Sequence, residues 1–169
     1  MGVMKLNSLH DLLIAEINDL LSAEKQLLHI FPKVIQSARH GELREALETH
    51  HRETVLQESR LEECLRELGL AIRPVRSHGM VGIVSSWMEL QDAEAQADVR
   101  DAATISVLQR ATHYEIAGYG CAHAFALSLD KQRVAALLKQ TLLEEEEFDR
   151  TLTKVAETVV NREAELHPS

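Results

Sequence analysis

The feature that most constrains this chain is a carboxylate that lies within an apolar helical stripe. Between about residues 102 and 129, apolar side chains recur with the spacing of one helix face, and Glu115 lies on that face. A bare carboxylate in an apolar core costs several kcal/mol or more. Glu115 must therefore be paired, protonated or bound to a metal ion, and the fold has to bring the neutralising group to it.

The composition predicts an all-α protein. Only 7 Gly and 3 Pro occur in the sequence, which favours long helices. A length of 169 residues suits one domain with a sizeable core. Because the connection after helix B is long, helix C can run parallel to helix B in a four-helix bundle. The expected elements are helix A over about residues 8–40, helix B over 42–69, a crossover with a short helix over 70–98, helix C over 99–129 and helix D over 130–165.

Charge and hydropathy narrow the function classes. A formal net charge of −9, without a cluster of Lys and Arg, argues against nucleic-acid binding. The sequence has neither a signal-peptide pattern nor an apolar run near the roughly 20 residues of a membrane span. Cys64 and Cys121 lie on apolar helical faces and are predicted to be buried thiols. We expect a soluble, cytoplasmic protein with no membrane partner.

Two helical hairpins carry the same carboxylate pattern. On the apolar faces, 29 positions separate Glu24 from Glu53, and 30 separate Glu115 from Glu145. Glu144 is an alternative to Glu145, and we prefer Glu145 because it lies closer to the apolar stripe. The spacing predicts one inward carboxylate from each of the four helices.

Helices B and D offer a second polar residue one turn later. Gln57 follows Glu53 by four positions and Asp149 follows Glu145 by four, an offset that keeps both residues of a pair on one face. His50 precedes Glu53, which reverses the Glu-x-x-His order of known di-iron bundles. These three residues are candidate ligands or hydrogen-bond partners of ligands.

A pair of divalent metal ions would balance four inward carboxylates. Each ion removes the repulsion that would otherwise raise the carboxylate pKa values. Oxygen-rich ligation with some imidazole suits iron or manganese better than zinc. We therefore expect two metal ions per chain. Iron is the preferred metal, and manganese is the alternative.

Other polar and aromatic residues receive separate predictions. Tyr119, one turn after Glu115, is the candidate to hydrogen-bond a ligand or to be oxidised, whereas His113 points about 160 degrees away and is expected between helices or at an interface. The crossover helix is expected to bury Met80, Trp87 and Met88 against the bundle or a partner subunit. Surface positions are expected for His29, His40, His51 and His78.

Five segments together resemble the YciE/YciF family of bacterial ferritin-like proteins over roughly residues 8–157. The most specific is His-Tyr-Glu-Ile-Ala-Gly-Tyr-Gly at residues 113–120. The others are residues 22–27, His50 with Glu53-Thr54 and Arg60-Leu61, residues 100–103, and residues 138–145 with Asp149.

The resemblance implies a ferritin-like bundle, a homodimer and a di-metal site in the core. Carried over by position, Glu24, Glu53, Glu115 and Glu145 would be the metal carboxylates, and His50, Gln57 and Asp149 would be further ligands or their partners. The chain departs from the family where it has Gln57 in place of His, Thr112 in place of Glu, and Ser85-Ser86 where an acidic residue is common. These departures are expected to affect metal binding and catalytic turnover more than the fold.

Three functional hypotheses follow. The leading one is a di-metal oxidoreductase that oxidises ferrous iron or reduces dioxygen or hydrogen peroxide under stress. The second, motivated by Gln57 and Thr112, is a metal-free structural or interaction protein. The third is disproportionation of peroxide at a manganese site.

Overall fold

The computed structural model describes residues 6–166, which are almost entirely helical and contain no strand within that range. The predicted all-α class is confirmed. The elements are α1 (Leu9–Ser37), α2 (Gly41–Glu67), α3 (His78–Asp92), α4 (Ala97–Ser128), α5 (Gln132–Val155), a π-helical turn (Ala156–Val160) and α6 (Asn161–Glu165).

Local sequence signals fix the start of α1 and the end of α2. Ser8 caps α1, since its Oγ accepts a hydrogen bond from the Asp11 backbone N at 3.1 Å. Gly69 ends α2 with a positive φ of 71°, and the Leu70 N–H donates to the Leu65 carbonyl at 2.9 Å. Pro32 lies inside α1, which continues to Ser37.

The start of α5 differs from the expected start of helix D at Asp130. Asp130 has a φ of 54°, and the Lys131 N–H donates to the Ala126 carbonyl at 2.9 Å. This left-handed residue closes α4, a role that Asp tolerates better than most residues. Helix α5 therefore begins at Gln132, with Lys131 at its N-cap.

The core consists of two apolar clusters at opposite ends of the bundle. The Phe31 cluster takes the end of α1, the starts of α2 and α4, and the end of α5, together with Met80 and Trp87 of α3. The Leu13 cluster takes the opposite halves of the same four long helices. Helices α2 and α4 therefore run parallel to each other and antiparallel to α1 and α5, as the long crossover predicts.

Helix α3 packs on α4 and α1. Met80 and Trp87 are buried as predicted, whereas Met88 is exposed in the single chain. Gly79 faces the ring of Tyr114, where a Cβ atom would lie 2.5 Å from a ring carbon. The glycine lets the crossover helix approach α4 closely.

Two predictions about cysteines and membranes can be compared with the structure. Cys64 is buried, and burial raises the pKa of its thiol to about 12. Cys121 is exposed, so the prediction of two buried thiols is wrong for this residue. It lies one position before the buried Ala122, and one step of about 100 degrees turns it to the outside. Within the described range, none of the helices has the length and apolarity needed to span a bilayer.

Candidate metal centre

A polar layer separates the two apolar clusters and takes side chains from all four long helices. Every member is at most 2% exposed. Because such a layer interrupts the core midway along the bundle, it is expensive unless its groups are satisfied. Its members are Glu24 of α1, His50, Thr54 and Gln57 of α2, Thr112 and Glu115 of α4, and Thr141 and Glu145 of α5.

A close approach of α1 and α4 brings two of these carboxylates to the same level. A Cβ atom on Gly118 would lie 2.8 Å from Cδ2 of Leu20, so a larger residue would require the Leu20 side chain to shift. Gly118 lies about one turn from Glu115, and Leu20 lies one turn from Glu24. The packing of α4 against Leu20 of α1 thus explains the small residue at Gly118 in the 113–120 segment.

Three carboxylates form the centre of the layer, and each leaves one oxygen without a hydrogen-bond partner among the described atoms. These oxygens are Glu24 Oε2, Glu115 Oε1 and Glu145 Oε2. An unsatisfied buried polar atom costs on the order of 1–3 kcal/mol, and more when it is charged. The arrangement therefore favours a cation between the oxygens or protons on them.

Neutral donors orient the second oxygen of two of these carboxylates, Glu24 and Glu145. The Tyr119 hydroxyl donates a hydrogen bond to Glu24 Oε1, as the sequence predicts for this residue. Gln57 Nε2 donates to Glu145 Oε1 at 2.8 Å. One oxygen of each of these two carboxylates is thus fixed while the other remains free.

Burial and mutual repulsion control the protonation of the three carboxylates. Burial, assisted by the nearby Glu58 and Glu144 charges, raises the pKa of Glu24 to about 8, although the Tyr119 hydrogen bond opposes the shift. Burial, followed by the charges of Glu24 and Glu145, raises the pKa of Glu115 well above its ordinary value. The pKa of Glu145 rises well above its usual range for the same main reason.

His50 lies beside Glu145 in an aromatic pocket. Its Nε2 lies 3.7 Å from Glu145 Oε1, and its ring stacks on Phe148 with centroids 3.6 Å apart and an interplanar angle of 7°. Phe31 meets the same ring edge-on at 5.6 Å. Burial lowers the pKa of His50, so the neutral imidazole, which is the form that binds metals, is favoured.

Glu53 and Glu144 lie at the rim of the layer. The Glu53 side chain is 39% exposed, with Oε2 3.5 Å from His50 Nδ1. The Glu144 side chain is 22% exposed, and Arg60 Nη1 donates to its Oε2 at 2.6 Å. Glu145 is the deeper of the two neighbouring acids, in line with the sequence preference. Arg60 is a site residue that the spacing argument does not single out, although it lies one turn after Gln57.

Asp149 lies apart from the three central carboxylates. Its Oδ1 accepts from Gln109 Nε2 at 3.2 Å and lies 3.2 Å from His113 Nε2, both on α4. A step of four residues turns a helix by about 40 degrees beyond a full turn, which moves Asp149 from the layer toward the outer groove between α4 and α5. The described contacts of Asp149 are thus with α4, and its role at the metal site stays a prediction, while His113 makes the expected interhelix contact.

An open groove of about 540 Å³ between α2 and α5 leads from the surface to His50. Its lining includes Glu53, Glu144 and Glu147 together with Arg150 and Lys154. Of the residues in the layer, His50 is the one that lines this groove, so the groove ends at the edge of the layer.

The fold and this layer define a helical-bundle protein with acidic groups in its core, and comparison with known proteins gives its family. Residues 8–165 match the family described as Domain of unknown function (DUF892). The chain belongs to this family. It is 34% identical to Protein YciF of Escherichia coli (strain K12) over 163 residues, which cover 96% of this chain and 98% of that protein.

Solved structures agree with this assignment. The crystal structure of the E. coli stress protein YciF matches with a TM-score of 0.88 and 33% identity, covering 92% of this chain and 99% of that one. YcfI of Rhodopseudomonas palustris, for which a structural role has been suggested, matches with a TM-score of 0.88, 30% identity and the same coverage. A Xanthomonas campestris protein with 21% identity and a TM-score of 0.73 shares the fold. The resemblance found in the sequence is confirmed.

Proposed function

We propose that the polar layer binds two divalent metal ions, iron or manganese, and that the protein uses them in an oxidative stress response. The observation that carries the proposal is the set of three fully buried carboxylates, each with an oxygen that has no hydrogen-bond partner among the described residues. A site built to remain metal-free would cover those oxygens with donors.

The donor set fits the proposed metals. Glu24, Glu115 and Glu145 would hold the ions, with neutral His50 beside Glu145 and with Glu53 reaching in from the rim. Carboxylates with little imidazole suit iron and manganese. A bound iron pair supplies one-electron chemistry toward dioxygen or hydrogen peroxide.

The surrounding residues orient the carboxylates and exclude water. Tyr119 fixes one oxygen of Glu24, and Gln57 fixes one oxygen of Glu145, which leaves the second oxygen of each carboxylate available to a metal ion. Phe31 and Phe148 enclose the His50 ring. Such outer partners set ligand orientation, and losing one typically weakens a metal site by about 10–100-fold.

The groove between α2 and α5 is the proposed entry path. The carboxylates of Glu53, Glu144 and Glu147 line it, and acidic side chains concentrate cations near an opening. Arg60 holds Glu144 at its inner end, and Arg150 pairs with Glu147 at 2.8 Å. Dioxygen and hydrogen peroxide are small enough to use the same path.

A metal-free structural protein is the second candidate. Within the described residues, three ligand atoms of His, Cys, Asp or Glu lie mutually within 4.8 Å at His40, Asp98 and Glu163, and the three layer carboxylates do not form such a group. If protons neutralise the carboxylates, the layer serves as a polar spacer that fixes helix register. The structural role suggested for YcfI favours this reading.

Metal analysis separates the two candidates. After anaerobic reconstitution with ferrous ion, the wild-type protein is expected to hold about two iron ions per chain, as di-iron bundles do. Glu115→Gln is expected to lose at least one of them, because it removes a central ligand without changing side-chain size.

The matched control is Glu48→Gln, which makes the same chemical change at an exposed position outside the groove. It is expected to retain the wild-type iron content. A wild-type protein that binds no iron under these conditions would overturn the proposal and favour the metal-free candidate. Assaying peroxide disproportionation with each metal distinguishes the manganese alternative.

A further inference from the structure

A second cluster of potential ligands lies at the end of the bundle, outside the polar layer. His40 stands at the corner between α1 and α2, Asp98 lies in the first turn of α4, and Glu163 lies in α6. His40 is only 7% exposed, so its predicted surface position is wrong. It is buried because α4 and α6 both pack over the corner.

The ligand atoms of this cluster already have the spacing of a metal site. His40 Nε2 lies 2.9 Å from Glu163 Oε2 and 3.6 Å from Asp98 Oδ1. One ligand atom from each of the three residues lies within 4.8 Å of the others. Bonds of about 2.1 Å in a tetrahedral zinc site place neighbouring ligand atoms about 3.4 Å apart, so the two measured distances bracket the required value.

A fourth residue orients the imidazole. Asp101, which is also buried, accepts from His40 Nδ1 at 2.7 Å and from the backbone N–H of His40 at 2.9 Å. In a neutral ring whose proton lies on Nδ1, this bond leaves Nε2 facing the other two carboxylates. A carboxylate that holds the far nitrogen of a histidine is the usual partner of a metal-bound imidazole. Arg39 Nε lies 3.2 Å from Asp98 Oδ1, the same oxygen that faces His40 Nε2, so a metal ion at this position would share that oxygen with the guanidinium.

A π-helical turn directs Glu163 toward His40. The turn spans Ala156–Val160, immediately before α6. A π-turn delays the following residues by about one position, which is roughly 100 degrees around the helix axis, and such turns occur frequently at functional sites. The register of α6 relative to α5 therefore depends on this turn.

We propose that His40, Asp98 and Glu163 form a mononuclear site for a divalent transition-metal ion of the zinc type. Three protein ligands with a solvent-facing fourth position are a common zinc arrangement. The Glu163 side chain is 49% exposed, which leaves room for an ion to enter and for water to complete the coordination. The bound ion clamps α6 to the start of α4 and to the α1–α2 corner.

Zinc binding by two matched variants tests this site. Glu163→Ala removes a ligand, whereas Glu165→Ala removes the same charge from an exposed position two residues further along α6. Equilibrium dialysis against zinc is expected to show about one more zinc ion per chain in Glu165→Ala and wild type than in Glu163→Ala. Any zinc bound in the polar layer cancels in this comparison.

Hydrogen exchange provides the second readout. Zinc is expected to slow amide exchange in residues 161–165 of Glu165→Ala and to leave Glu163→Ala unchanged. Equal zinc content in the two variants would overturn the proposal and would mean that a proton, rather than a metal ion, occupies His40 Nε2. If zinc still slowed amide exchange in residues 161–165 of Glu163→Ala, the proposal that the ion holds α6 through Glu163 would also be overturned.

Discussion

The metal-free protein is expected to lose stability as the pH rises from about 5 to about 8. Burial raises the pKa of Glu24 from 4.5 to about 8 and also raises those of Glu115 and Glu145. Between the unfolded and folded pKa values, the folded state therefore binds more protons than the unfolded state. For Glu24, the stabilising contribution of the protonated carboxyl is complete below pH 4.5 and is lost as the pH rises through its folded-state pKa of about 8. Each such carboxyl changes the free energy of unfolding by up to about 1.4 kcal/mol per pH unit.

Urea unfolding of chelator-treated protein at several pH values measures this effect. Glu24→Gln is expected to give a shallower decline than wild type, because the amide does not titrate, while the exposed control Glu147→Gln keeps the wild-type slope. Metal-loaded protein is expected to show the opposite trend, since metal ions bind ionised carboxylates and gain affinity as the pH rises. Identical pH slopes for wild type and Glu24→Gln would contradict this account of the layer.

Replacing Phe148 with alanine is expected to lower the free energy of unfolding by about 3–5 kcal/mol, the range for a buried phenylalanine. The side chain is buried in the Phe31 cluster and stacks on the His50 ring at 3.6 Å. Its removal leaves a cavity beside the imidazole and opens the groove end of the polar layer to water. The pKa of His50, which burial holds below its ordinary value, is expected to rise.

Denaturant unfolding and an NMR titration of His50 check these two effects. Phe125→Ala is the matched control, because Phe125 is only partly buried and packs on the Leu13 cluster, away from His50. It should cost less stability and leave the His50 titration unchanged. Equal costs for the two variants, with no change in the His50 titration, would show that Phe148 does not shield the site.

The central carboxylates could be predicted from the sequence because helical periodicity fixes which face a residue occupies. Glu24, Glu115 and Glu145 each lie on an apolar stripe, and all three are buried in the layer. Both the parallel arrangement of α2 and α4 and the choice of Glu145 over Glu144 followed from the same pattern and from the length of the crossover. The donor role of Tyr119 followed from its offset of one turn.

Residues near the edge of a face could not be placed in this way. A step of four residues leaves a rotation of about 40 degrees, which is enough to separate buried Gln57 from the rim residue Glu53. The same rotation moves Asp149 away from Glu145 and toward α4. Neighbouring helices decide which member of each pair is buried, and periodicity within one helix does not contain that information.

The His40 cluster depends on contacts between distant parts of the chain. His40 and Glu163 are 123 positions apart, and a π-turn sets the register that joins them. A regular helix continued from α5 would direct Glu163 elsewhere. Sequence spacing therefore gives no signal for this cluster, and His40 alone has the pattern of a surface residue.

Anomalous scattering at the iron absorption edge, from crystals loaded anaerobically with ferrous ion, tests the central claim most directly. The proposed site predicts a pair of iron peaks in the polar layer, each about 2.0–2.2 Å from carboxylate oxygens, the usual range for metal–carboxylate bonds. Those oxygens should include the free atoms of Glu24, Glu115 and Glu145. A well-ordered layer without an anomalous peak, in crystals grown from protein exposed to excess ferrous ion, would contradict it.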